Sequence, residues 1–220
     1  MRVLQGFSTS VGTKILVALT GLALVGFLIF HLAGNLLVFW GPARYNEHAH
    51  ALISNPLIIP AEIGLLGLFL THVFETVTTF AKNRAARPVG YTRKVRAGGA
   101  SRKTLASTSM IVSGIVTFVF VVLHLVTFKY GPHYASSVAG ERDLYRLLVE
   151  VFHRPGYVVF YVVCMAILGL HLRHGLSSAL QSLGLIPAGW TRRLLGAGVL
   201  LAVILAVGFL IIPIWVYFFV

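Results

Sequence analysis

The chain has 220 residues, of which 57% are hydrophobic and 11% charged, with a mean hydropathy of +0.87. About a quarter of the residues of a soluble domain are charged, so an ordinary water-soluble fold, a disordered chain and a coiled coil are excluded. The single cysteine, Cys164, excludes a disulfide scaffold, and the 18 Lys and Arg against 6 Asp and Glu point to membrane topology before nucleic acid.

Five hydrophobic runs are long enough to cross a bilayer: 15–40, 56–81, 105–128, 156–183 and 194–220. They are read as helices, because separate open strands would leave backbone groups unsatisfied in lipid. The expected fold is an all-α integral membrane protein with five transmembrane helices forming one domain over 1–220, four of the helices building a bundle and the fifth packed beside it. The first run exceeds a signal-peptide core and lacks a cleavage pattern, so it is expected to be retained. Trp40, Trp190 and Trp215 fall near span ends, where an interfacial aromatic belt would put them. Cys164 lies in an apolar run and reads as a small buried filler. Pro60 and Pro213 can kink their spans at modest cost in a bundle.

The connection 82–104 carries Lys82, Arg84, Arg87, Arg93, Lys94, Arg96, Arg102 and Lys103 and no acid. The positive-inside rule makes it cytoplasmic. By alternation Arg2, Lys14, Arg173, Arg192 and Arg193 share that side, whereas Arg44, Lys129, Arg142, Arg146 and Arg154 lie opposite. The N-terminus is therefore expected in the cytoplasm and the C-terminus outside. The basic loop serves topology and attraction to anionic lipid, or gives a soluble partner a landing surface. In the opposite loop, 141–152 carries Leu144, Leu147, Leu148 and Val151 at helical spacing, which predicts an amphipathic helix lying flat on the membrane surface. The sequence shows no glycine-rich phosphate loop and no catalytic triad pattern.

Ionisable residues inside spans are costly and point to function. Four spans carry one each: His31, His72, His124 and His171, with His174 three residues beyond the last. At ~1.5 Å of rise per residue, His31 and His124 sit about 25 and 31 Å from the basic side, and His72 and His171 about 15 and 20 Å. Two imidazoles at matching depth on different helices can hold one six-coordinate haem iron from opposite faces, and two such pairs fit here. Zinc would need a third or fourth ligand at each site. Bis-histidine iron favours one-electron transfer, and two irons one above the other would connect the two halves of the bilayer, with a quinone as the lipid-soluble partner.

The segment Ser10-Val-Gly-Thr-Lys14, then Leu-Thr-Gly21, His31-Leu-Ala-Gly-Asn35, His171-Leu-Arg-His-Gly175 and Ser178-Ala-Leu-Gln-Ser-Leu-Gly184 together resemble the cytochrome b membrane subunit of succinate dehydrogenase and fumarate reductase, in its single-chain, five-helix, two-haem cytochrome b558 form. The likeness runs over nearly the whole chain in helix count, histidine placement and topology. It implies two haem b groups, the outer held by His31 and His124 and the inner by His72 and His171. It also implies a flavoprotein and an iron-sulfur protein docked on the cytoplasmic face of a bacterial membrane. The chain itself would bind no dicarboxylate; it would pass electrons between the iron-sulfur centres and a quinone pool, most readily menaquinone. Some relatives place a glutamate two residues before the fourth-span ligand for proton transfer; Gly169 stands there in this sequence.

Glu47 and Glu62 are candidates for proton release near the outer face. Lys14 and Arg173 lie where haem propionates or a quinone would end, although positive-inside placement alone accounts for the two cations; His174, one turn further inward than His171, could bond a propionate, face the quinone or itself be the ligand. Glu75, three residues past His72, could support an imidazole or a quinone, or form an ordinary ion pair. His48, His50, His133 and His153 read as exposed or interfacial, with propionate contact or proton exchange as the alternative. Two other functions fit the same features: the cytochrome b subunit of a hydrogenase or formate dehydrogenase, and a histidine-lined transporter or proton channel.

Overall fold

The computed structural model describes residues 9–86, 109–136, 138, 140–187 and 189–220. Arg2, Ser8 and most of the basic loop, including Arg87, Arg93, Lys94, Arg96, Arg102 and Lys103, lie outside the described residues, as does the expected landing surface. Five helical segments are long and apolar enough to span a membrane: Ser10–Trp40, Ile58–Ala85, Met110–Lys129, Pro155–Ser182 and Thr191–Phe219. Among the described residues the only β pairing is one isolated bridge, Ala135 to Arg142.

Helix α1 (Ser10–Asn35) starts where the Thr9 hydroxyl accepts from the Gly12 amide at 3.0 Å, satisfying one of the amides a helix start leaves over. It tightens into a 3₁₀ turn, Leu36–Trp40, and ends at Gly41, whose φ of 86° favours a residue without a Cβ. Pro42 then opens α2 (Pro42–Ile53), a short helix the hydropathy pattern does not reveal.

Helix α3 (Ile58–Ala85) has no buried residue. Ile59, Ile63, Leu66, Leu70 and Phe74 form one exposed apolar stripe at helical spacing, the expected face for lipid. Leu65, Phe69, His72, Val73 and Thr76 are half-buried towards the protein. Pro60 is the third residue of this helix, where its missing amide breaks no hydrogen bond, so it has no kink to cause.

Helix α4 (Met110–His124) widens at its end into a π turn, Leu125–Lys129, closed by the Tyr130 amide on the Leu125 carbonyl at 3.0 Å. His124 is the last α-helical residue before it; such turns often mark functional positions.

Helix α5 (Leu144–Phe152) is capped by Asp143, whose carboxylate accepts from the Arg146 amide at 3.0 Å. The amphipathic helix that the pattern predicted is present, and protein covers its apolar stripe. Leu147, Leu148, Val151 and Phe152 are buried against protein, Phe152 meeting Phe128 and Tyr161 at ring separations of 5.9 and 5.0 Å. An apolar stripe is indifferent to whether lipid or protein covers it, and here protein is at hand.

Helices α6 (Pro155–Ser182) and α7 (Thr191–Phe219) form the most extensive packing in the molecule. The α6 stripe of Val158, Tyr161, Met165, Leu168, Leu172, Leu176 and Ala179 is buried, and Cys164 is buried beside it as a filler. Pro213 is fully buried within α7.

Helices α1, α3, α4 and α6 close into a ring in which α1 packs on α3 and α6, and α4 on α6. The α3–α4 side is thin, joined by Phe69 stacked on Phe118 at 5.9 Å and by an ion pair between Glu62 and Lys129. The diagonals, α1 to α4 and α3 to α6, share no extensive packing. The ring thus keeps an axis that side chains, not backbones, must fill. Helix α7 lies outside the ring along α6.

Candidate redox site: two histidine tiers

The four span histidines point into this ring from its four helices. The near tier, closer to the start of α1, holds His72 of α3 and His171 of α6. The far tier holds His31 of α1 and His124 of α4. Each tier therefore joins one diagonal of the ring.

In the far tier the His31 and His124 rings face each other edge to face, centroids 5.8 Å apart and planes at 89°. Aromatic side chains enclose them. His31 stacks on Phe27 at 5.1 Å and meets Phe209 of α7 at 5.8 Å. His124 lies among Phe120, Phe128 and Tyr161 at 5.6, 5.3 and 6.1 Å. The Tyr161 hydroxyl is 3.2 Å from His124 Nδ1. Asn35, one turn above His31, donates to the His31 carbonyl at 2.8 Å, and its amide nitrogen lies 3.4 Å from His31 Nε2. Its oxygen accepts from the Tyr45 hydroxyl of α2 at 3.3 Å.

In the near tier, His72 Nδ1 is 3.2 Å from the Thr20 hydroxyl of α1, and His171 Nδ1 is 3.1 Å from the Ser113 hydroxyl of α4. His72 and His171 lie within electrostatic range of each other across the diagonal, and His174 is in range of His171. Thr20 and His31 stand eleven residues apart on α1, as do Ser113 and His124 on α4. That spacing separates the tiers by about 16 Å on both sides.

The remaining candidates are placed at the margins. Lys14 and Arg173 are exposed at the near end, and His174 is half-buried one turn beyond His171. Glu47 is exposed and paired with Arg44 at 3.4 Å, and Glu62 is engaged with Lys129. Glu75 is half-buried and forms no ion pair among the described residues, against the ordinary pairing considered for it. His48 is not simply solvent-facing: its Nε2 would lie 2.7 Å from a Cβ at Gly34, so the ring rests on α1 one turn above His31.

The donor set suits two-coordinate clamping. Among the described residues, no three His, Cys, Asp or Glu side chains gather at one point. Imidazole–metal bonds of about 2 Å on each side require ring centroids about 6 Å apart; the far-tier separation of 5.8 Å is of that size, and from the edge-to-face arrangement one ring would turn to aim its nitrogen at a shared metal. Aromatic side chains thus surround two half-buried imidazoles.

Outside the spans, the far-end cap is bound electrostatically. Hydrogen bonds from Tyr134 and then Arg146 hold the Glu150 carboxyl below its ordinary range. Burial pushes the Tyr45 phenol up. Asn46, buried on α2, donates to Asp143 at 2.8 Å and accepts from the Tyr145 amide at 2.9 Å, tying α2 to α5.

The supporting groups Thr20, Ser113, Tyr161 and Asn35 are not evident from hydropathy or from the histidines alone. Two of them did leave a signal: a hydroxyl residue followed by glycine, each pair at one fixed distance before a span histidine. Comparison with protein-family models, curated proteins and solved structures returns no match to this chain.

Proposed function

We propose that this chain is a dihaem cytochrome b that anchors a succinate:quinone oxidoreductase to the membrane and carries electrons between an iron-sulfur subunit and a quinone, menaquinone fitting best. The observation that carries this reading is the pairing of four imidazoles into two diagonal tiers, with the far pair at bis-histidine spacing. His31 and His124 would hold one haem b, and His72 and His171 the other. A haem held between two imidazoles would supply one-electron exchange.

The chain's own residues do three things around that chemistry. The aromatic shell of Phe27, Phe120, Phe128, Tyr161 and Phe209 surrounds the far tier. The ring of four helices spaces the tiers by about 16 Å, close enough for each to serve the next. The cationic end, with Lys14, Lys82, Arg84 and Arg173, offers a surface for an acidic face of the iron-sulfur partner and for anionic lipid. The orientation that follows is N-terminus in the cytoplasm of a bacterium and C-terminus outside. A channel reading is less suited, since the histidines form two separate clusters and not one continuous polar path.

The test is a reduced-minus-oxidised spectrum of the purified chain, with haem counted by pyridine haemochrome. About two b-type haems per chain are expected, and His124→Ala or His72→Ala should each remove one. A chain without haem overturns the proposal. Co-purification with a flavoprotein, as against a nickel or molybdenum enzyme, separates this complex from a hydrogenase or formate dehydrogenase.

A further inference from the structure

Each near-tier imidazole rests on a two-residue seat supplied by the preceding spanning helix. Thr20-Gly21 of α1 lies beneath His72 of α3, and Ser113-Gly114 of α4 lies beneath His171 of α6. We propose that Thr20 and Ser113 are positioning residues that set the tautomer of His72 and His171, leaving Nε2 of each ring free to bind iron; the proposal rests on the dihaem reading above.

A hydroxyl has one hydrogen to give. That of Thr20 points to the Leu16 carbonyl on its own helix at 2.8 Å, with the Val17 carbonyl next at 3.2 Å. That of Ser113 points to the Met110 carbonyl at 3.0 Å. Such back-bonding to the preceding turn is the ordinary resting place of a helical hydroxyl. With the hydrogen so engaged, the oxygen can only accept from the imidazole, which requires the proton on Nδ1. The neutral ring then carries its lone pair on Nε2, the nitrogen that the hydroxyl does not engage. Thr20 and Ser113 are each only 4% exposed, so water does not compete for either contact.

The glycines complete the seat. A Cβ at Gly21 would stand 3.1 Å from His72 Cε1, and one at Gly114 would stand 3.5 Å from His171 Cε1. The ring edge thus lies on bare backbone, held between a hydroxyl at one residue and open space at the next. The arrangement occurs twice, on different helix pairs, with the same hydrogen-bond pattern. Because α1 and α4 also carry the far-tier ligands eleven residues on, each helix supplies a hydroxyl to one tier and an imidazole to the other.

A hydrogen bond from Nδ1–H to an acceptor makes an imidazole ligand more basic and favours the oxidised metal. Removing the acceptor should therefore raise the reduction potential of that haem. The experiment compares the parent chain with Thr20→Val and Ser113→Ala, reading haem content, the potential of each haem by redox titration, and the low-spin ferric resonance of each. Expected is an upward shift, or loss, of the near-tier haem alone in both variants, although Thr20 shares its helix with His31. The exchanges Thr20→Ser and Ser113→Thr should restore parental values. Should Thr20→Val fail to assemble, the smaller Ser113→Ala change decides. Unchanged near-tier potential and resonance in the variants would overturn the seat and leave the dihaem reading standing, as would equal disturbance of both haems. A parent chain without haem would overturn the dihaem reading itself, and the seat with it.

Discussion

Gly169 stands two residues before His171, on the face of α6 that meets α7, and a Cβ built there would lie 2.8 Å from the Ala206 Cβ. Carbon atoms settle at about 3.5–4.0 Å, and neither methyl has a rotamer by which to escape, so Gly169→Ala must part the two helices by roughly 1 Å. Overpacking of this kind costs about 1–3 kcal/mol. Gly175→Ala, on the same helix with nothing within 4 Å of the added carbon, carries no such strain and serves as control. The two variants should therefore differ by about 1–3 kcal/mol in unfolding free energy, measured by denaturant titration in one detergent and followed by circular dichroism. Ala206→Gly in the Gly169→Ala background should recover most of the difference, since it removes the other half of the contact. Equal stability of the two single variants, or no recovery in the double, would refute the reasoning. At position 169 α7 thus occupies the space a side chain would need.

Gly21→Ala should weaken the near tier and Gly114→Ala should not, because the first contact is 3.1 Å and the second an ordinary 3.5 Å. Stretching the His72–Thr20 hydrogen bond costs about 1 kcal/mol, or about fivefold in haem affinity, read by haem titration. Asn46→Ala should destabilise the far-end cap by about 1–3 kcal/mol, because it leaves the Tyr145 amide without its acceptor and removes one of the two donors on the half-buried Asp143 carboxylate, which keeps the Arg146 amide; faster protease cleavage near Gly140 reports it. The Glu150 carboxyl is held below its unfolded value of 4.5, so its contribution is complete above that pH and is lost as pH falls through the folded value. Cleavage of the cap should accelerate on acidification below about pH 4.5 in the parent, and Glu150→Gln should flatten that dependence.

Hydropathy alone determined the five spans, since in lipid a long apolar run has only the helix in which to satisfy its backbone. Periodic rise likewise sorted His31 with His124 and His72 with His171, because depth along a spanning helix is simple arithmetic. Spacing cannot say which neighbours a ring will touch. That Thr20 lies under His72, that Tyr161 reaches His124, and that α7 brings Phe209 to His31 depend on how the helices rotate and which sides of the ring close. The segment 141–152 was legible as an amphipathic helix, yet its covering by protein was not, for a stripe of leucines records only that something apolar must meet it. What is local, or measured along one axis, was written in the order of residues; what required two helices to face each other was decided only when they packed, because side-chain contacts across a bundle follow from mutual rotation that no single helix encodes.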